Sequence, residues 1–251
     1  MTGANAGLLC RALTLAAAAA AAVSGLDLTY ANYARLLQRY ACPEGVAYST
    51  LAGEPLIGAV RSEFAAVTRR QLAAVSREDQ IAFLLNAYNF HAIALVERHY
   101  PLRSGIRDIA KAPLDTAFIP LLGDTVSLNG ILNDMLRKGY HEPRIHFALN
   151  CAAKGSPALR SAPYTGAHLG EQLDSAALAF LSDTSRARVE GARLLLSETL
   201  DRCAGDFKET YGSCAAYVTR VLGLTGSYKV KPLPFDWSLN EAPPCRKVRD
   251  E

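Results

Sequence analysis

The strongest constraint in the chain is a helix at residues 80–98 that is apolar nearly all round. Ile81, Phe83, Leu84, Leu85, Tyr88, Phe90, Ile93, Leu95 and Val96 leave it no continuous polar face. A helix of that kind has to be buried. Ser76, with Asp79 three positions on, forms a capping signature just ahead of it. His99-Tyr100-Pro101 ends it, because proline cannot continue a helix. Asn86 and Asn89 sit inside it, one turn apart and on the same face. A buried amide left unpaired costs roughly 1–3 kcal/mol, so both need partners. Either they hold neighbouring loops to the helix or they line a site.

The second organising stretch is RIHFALNCAAKGSPALR, residues 144–160. It reads as an apolar strand, 145–149, that runs into Cys151 and then dissolves into small and turn-forming residues, 152–157. A thiol at the end of a buried strand, followed by a tight turn, is one way to present a nucleophile. The neighbouring backbone N–H groups then point at a reacting carbonyl. The alternative is that Cys151 is a small core hydrophobe. His146 is the nearest histidine in sequence and the candidate partner of the thiol. Side chains alternate along a strand, which puts His146 and Asn150 on one face and Cys151 on the other. His146 then reaches the thiol only if the strand ends or bulges first; otherwise it bonds to backbone. His91 lies off the faces of both asparagines, and His168 sits early in a later helix.

Around these stretches the chain is mostly helical. Residues 29–40 and 56–75 carry helical spacing, with Thr29 as the cap of the first. Residues 101–124 read as loop, 125–128 as a strand, and Asn129 as the cap of a short helix. Thr165 is placed to cap a helix over 166–181. Residues 188–194 form a hairpin turning at Glu190-Gly191. Ser197 opens a further helix, 207–222 continue helical, and 228–230 are a last short strand. The Pro-rich, charged tail from 232 onward is expected on the surface. The fold class is α+β: a helix-rich single domain, 26–251, with a small antiparallel sheet.

Composition narrows the function. The 251 residues carry a formal net charge of +3, with no run of basic residues, so there is no electrostatic footprint for nucleic acid. None of the five histidines forms a His-x-x-x-His pair with an acidic partner, and there is no Cys-x-x-Cys, so no metal site is expected. No phosphate-cradling glycine loop occurs, and no cofactor is expected. Residues 1–25 have the shape of a secretory signal peptide: Arg11, an Ala-rich run, then Ser24-Gly25. The mature protein is therefore expected to be secreted or extracytoplasmic, with no membrane attachment after cleavage. Cleavage removes Cys10 and takes six cysteines to five. In an oxidising compartment, Cys42, Cys203, Cys214 and Cys245 would form two bridges and leave Cys151 free.

Three separated motifs resemble the DUF547 family and occur in its order: NAYN at 86–89, VSLNGILNDMLR at 126–137, and the Cys151 stretch. The resemblance runs over roughly residues 30–222 and includes LLLSETL at 194–200. The family has no agreed function. Its members are often secreted bacterial proteins or parts of plant proteins, and it has been likened to papain-like and transglutaminase-like thiol enzymes. That resemblance implies a core of this kind, Cys151 as nucleophile with a histidine partner, and a small-molecule or peptide ligand. Asn86, Tyr88 and Asn89 match the family's Asn-rich helix. Two departures matter. Many members carry a second cysteine five positions after the first, where this chain has Ser156. Many also carry a Glu-His pair where this chain has Leu132 and Asn133. An asparagine cannot take a proton from a thiol. Three readings stand: a thiol hydrolase or acyl-transfer enzyme with Cys151 and His146 as catalytic pair and Asn86, Asn89 and Asn133 on the substrate side, a catalytically degenerate binding protein, or a purely structural extracellular domain.

Overall fold

The computed structural model describes residues 25–245, so the expected leader lies outside it apart from Gly25. The long helix is present, and it continues three residues further toward the N-terminus than the apolar run. Helices α1 (Ala31–Tyr40), α2 (Pro55–Ala66) and α3 (Arg69–Ala73) precede it, and α4 spans Arg77–His99. Ser76 accepts from the Asp79 N–H at 3.0 Å, and acidic residues in the first turn and basic ones in the last suit the helix dipole. Every residue from Ile81 to Val96 is buried. Tyr33 of α1, Phe64 of α2 and Phe83 and Phe90 of α4 form one aromatic cluster, with Phe64 and Phe90 stacked at 5.6 Å.

Several local expectations change. The expected helix over 56–75 is two helices, because Thr68 and Gln71 make a capping box that starts α3 afresh. Thr29 does not cap α1; Tyr30 occupies that position in the left-handed region. Asn129 does not cap either. Its side chain donates to Asp115, while Ser127 accepts the Gly130 N–H. The segment Gly130–Arg137 is wound as a π-helix and runs into α5 (Lys138–Tyr140). Residues 145–149 are not a strand. Pro143–Phe147 form a 3-10 turn, with Pro143 at its start and Glu142 accepting the Arg144 N–H. A short apolar run does not by itself distinguish strand from buried helical turn.

Strands β1 (Ala41–Cys42) and β2 (Gly45–Val46) pair antiparallel, as do β3 (Ile119–Leu121) and β4 (Asp124–Val126). The second of these hairpins draws its first strand from the stretch read as loop. After α6 (Leu169–Ser182), the expected hairpin turns at Glu190-Gly191 and joins β5 (Ala187–Glu190) to β6 (Arg193–Ser197). Then come α7 (Glu198–Arg202), α8 (Lys208–Tyr211) and α9 (Cys214–Val221), with Gly212 at φ +77° breaking the run read as one helix. Finally β7 (Lys229–Leu233) joins β6 in parallel. The fold is α+β, with its largest sheet mixed in direction.

The largest apolar cluster surrounds α4, and a second lies under β5, β6, α7 and α9. Two elements straddle them. The 3-10 turn sends Ile145 into the first and Phe147 into the second, and α6 sends Leu173 one way and Phe180 the other. One disulfide joins Cys42 to Cys245, whereas Cys151, Cys203 and Cys214 are free. The expectation of two bridges is corrected: Cys203 points its thiol at the Thr199 carbonyl. The tail is corrected as well, since Leu239, Asn240 and Ala242 are buried.

His91 sits in the aromatic core, with Phe90 at 4.9 Å and its Nε2 unpaired among the described residues. Burial, reinforced by the Arg61 charge, pushes it down to about 3. The unfolded chain binds a proton there below pH ~6.5 and the native chain does not, so stability falls as pH drops from ~6.5 toward the native value. The expected slope from this group is about 1.4 kcal/mol per pH unit. Urea denaturation between pH 7 and 5 should show this loss in the wild type and a flatter profile in His91→Leu; equal slopes would rule it out.

Candidate functional site around Cys151

Helix α4 grips the Cys151 segment at both ends. Asn89 donates to the Ala148 carbonyl at 2.9 Å and accepts from the Asn150 N–H at 2.8 Å. One turn earlier, Asn86 donates to the Tyr164 carbonyl at 2.8 Å and accepts from its N–H at 2.9 Å. Each side-chain amide thus pairs with backbone as a neighbouring strand would, and the buried amides of α4 are satisfied.

Between those anchors the chain makes a tight turn. Ala152 adopts φ +62°, in the left-handed region that non-glycine residues rarely occupy. The Asn150 side chain holds it there, accepting from the Ala152 N–H at 2.8 Å and donating to the Pro157 carbonyl at 2.7 Å. Asn240, from the tail, donates to the same Asn150 oxygen at 3.1 Å and accepts from the Tyr48 hydroxyl at 3.1 Å. Arg186 donates to the carbonyls of Lys154, Gly155 and Ser156. Asn150, Arg186 and Asn240 are the supports that sequence reasoning missed. An Asn directly before the cysteine was the one available signal.

Cys151 is half-buried as a residue, and its thiol faces the Ser156 hydroxyl at 3.1 Å. Burial pushes it above the ordinary thiol value, against the opposing effects of Ser156, the Ala153 and Cys151 N–H groups and the Arg202 charge. No imidazole is hydrogen-bonded to it among the described residues. His146 is buried, and its Nε2 lies 2.7 Å from Asp206 Oδ2. Arg137 holds the same carboxylate through two bonds of 2.7 Å and donates to Asn133 Oδ1 at 2.9 Å. Burial raises the Asp206 carboxyl, but the bonds and charges of His146 and Arg137 outweigh that and keep it well below the usual carboxylate range. The structure therefore brings Asn133 and His146 together through Arg137 and Asp206, beside a cavity of about 130 Å³ also lined by His141 and Glu209. It brings Asn86 and Asn89 to the flanks of the Cys151 turn.

Five of the six backbone N–H donors from Cys151 to Ser156 are engaged. Cys151 N–H goes to Ser156 Oγ and Ala152 N–H to Asn150. Lys154 N–H donates to the Ser238 carbonyl and Gly155 N–H to the Asp236 carbonyl, each at 2.8 Å, and Ser156 N–H to Ala153. Among the described residues no group of three or more His, Cys, Asp or Glu is placed to hold a metal ion. No helix among them is long and apolar enough to cross a membrane.

Two substitutions test this geometry. Ser156→Cys places a second sulfur at the thiol and should yield a 151–156 disulfide under mild oxidation, seen as the loss of two hydrogens from the peptide. Absence of that cross-link would mean that position 156 does not face Cys151. Asn89→Ala leaves two buried backbone groups unpaired and should lower stability by about 1–3 kcal/mol in urea denaturation, whereas a change within a few tenths of a kcal/mol would contradict the anchor role.

Neither the curated proteins nor the solved structures contain a match to this chain. One family model does match, described as a protein of unknown function, DUF547, over residues 72–181. That is a narrower span than the motifs suggested, but it contains Asn86, Asn89, Asn133, His146, Cys151 and Ser156. What the chain shows is a match to the DUF547 family model over residues 72–181, the stretch that carries α4 and the Cys151 turn.

Proposed function

We propose that this protein is an exported DUF547 domain that binds a small-molecule or peptide ligand at the Cys151 turn without turning it over. The observation that carries the reading is the engagement of five of the six backbone N–H groups from Cys151 to Ser156. Stabilising an oxyanion needs donors aimed at empty space, and this turn has committed five of its six. The thiol is also poorly placed to react. A neutral thiol is a weak nucleophile, and its partner here is a hydroxyl rather than a base. His146, the histidine nearest to Cys151 in sequence, is committed to Asp206. Export rests on the leader-like sequence of residues 1–25, and the Cys42–Cys245 bond suits an oxidising compartment.

A second reading, a thiol hydrolase, is favoured by one feature. The Ala153 N–H and the Arg202 charge both act in favour of a thiolate at Cys151. The dependence of Cys151 alkylation on pH separates the two. Binding without turnover predicts an inflection above the ordinary thiol value of ~8.5. Asn133→His should leave that profile unchanged, because Asn133 is turned toward Arg137. An inflection below neutrality in the wild type, or a fall produced by Asn133→His, would favour the hydrolase.

A further inference from the structure

Two of the engaged donors at the Cys151 turn are satisfied by a remote part of the chain. The tail segment 236–242 lies along the turn as an extended strap. Lys154 and Gly155 donate to its Ser238 and Asp236 carbonyls, Ala153 bridges antiparallel to Leu239, and the strap's Asn240 N–H donates to the Ala152 carbonyl at 3.2 Å. This is the bonding of an extended peptide added to a strand edge. The strap's side chains are seated too. Leu239 is buried in the main core, and Trp237 stacks on Arg107, whose guanidinium carbon is 3.9 Å from the ring centre. Phe235 covers Gly155, where an added Cβ would meet its ring at 2.8 Å. On its other side the strap bonds to β2, through Val46 N–H to the Asn240 carbonyl and Ala242 N–H to the Val46 carbonyl. Three residues beyond Ala242, Cys245 is bonded to Cys42 at the end of β1.

We propose that residues 152–155 are a binding edge for an extended peptide and that the chain's own strap occupies this edge in cis, pinned by the Cys42–Cys245 bond. This deepens the ligand-binding reading of the same site and rests on it. In the closed chain the strap's carbonyls take the Lys154 and Gly155 donors that a peptide in trans would need. An external dithiol opens the site: it is oxidised to its own disulfide as the Cys42–Cys245 bond breaks, and both protons end on the freed sulfurs. The strap then exchanges with a competing segment that carries aromatic residues at alternate positions followed by leucine.

The full chain tests this with a labelled peptide of residues 234–242, PFDWSLNEA, as probe. Three forms are compared: oxidised wild type, wild type treated with a dithiol, and Cys42→Ser/Cys245→Ser without reductant. Hydrogen exchange at Lys154 and Gly155 and Cys151 alkylation, located by peptide mapping, report opening. The expected result is at least a tenfold rise in both rates in the second and third forms, with exchange in α4 unchanged. Saturable peptide binding is expected only in those two forms. Rates unchanged in both forms overturn the latch, and faster rates without peptide binding overturn the peptide edge. Exchange rising equally in α4 means general unfolding and overturns both. A low alkylation inflection would refute the non-catalytic reading alone, since it is measured on the closed protein and does not depend on reductant.

Discussion

The structure depends on two asparagines that behave as pieces of backbone. Asn86 and Asn89 project from a helix whose other buried neighbours are almost all apolar, and each exchanges a donor and an acceptor with the main chain of a distant segment. Irregular chain near a core has no ladder to pair its peptide groups, and each one left without a partner costs of order 1–3 kcal/mol. Here a side-chain amide supplies what a neighbouring strand would. The reach from Ala148 to Tyr164 is thereby fixed to the most buried helix at both ends. What lies between, including the left-handed Ala152, holds its shape without a sheet of its own.

The same economy of partners governs the chemistry. A reactive centre keeps some polar groups deliberately unmatched, aimed at a charge that has yet to form. The Cys151 turn is mostly matched: carbonyls to Arg186, donors to Asn150, Ser156 and the strap. The titratable machinery lies apart, in the chain from Asn133 through Arg137 and Asp206 to His146. That network joins the π-wound segment and the 3-10 turn, both in the family-matched region, to Asp206 beyond it. In this position it ties the region around α4 to the second apolar cluster.

Elements whose signal is local were legible in the sequence. Ser76 and Asp79 marked the start of α4, Tyr100-Pro101 its end, and Glu190-Gly191 a hairpin that is there. The small residues after Cys151 do form a turn. The need of Asn86 and Asn89 for partners followed from burial alone, but the identity of those partners did not, because they lie about sixty and eighty positions away. The 3-10 turn was missed because five apolar-rich residues suit either a strand or a helical turn, and Pro143 was the only cue. The strap was missed because prolines and charges are the marks of an exposed tail. Its burial comes from Leu239 and Asn240 meeting residues near positions 46, 104 and 152. Pairing of His146 with Asp206, across sixty residues, has no local signature at all.

The Cys42–Cys245 bond spans 203 positions and encloses nearly all of the described chain in one covalent ring. A single proteolytic cut at an exposed site within that ring, such as the Glu190-Gly191 turn, would open the ring without separating the pieces. Nicked protein would keep its mass, plus one water, until reduced, and the two fragments would remain tethered at high mutual concentration. Damage of this kind would be survivable. Its visible sign would be a chain that runs as one band without reductant and as two with it.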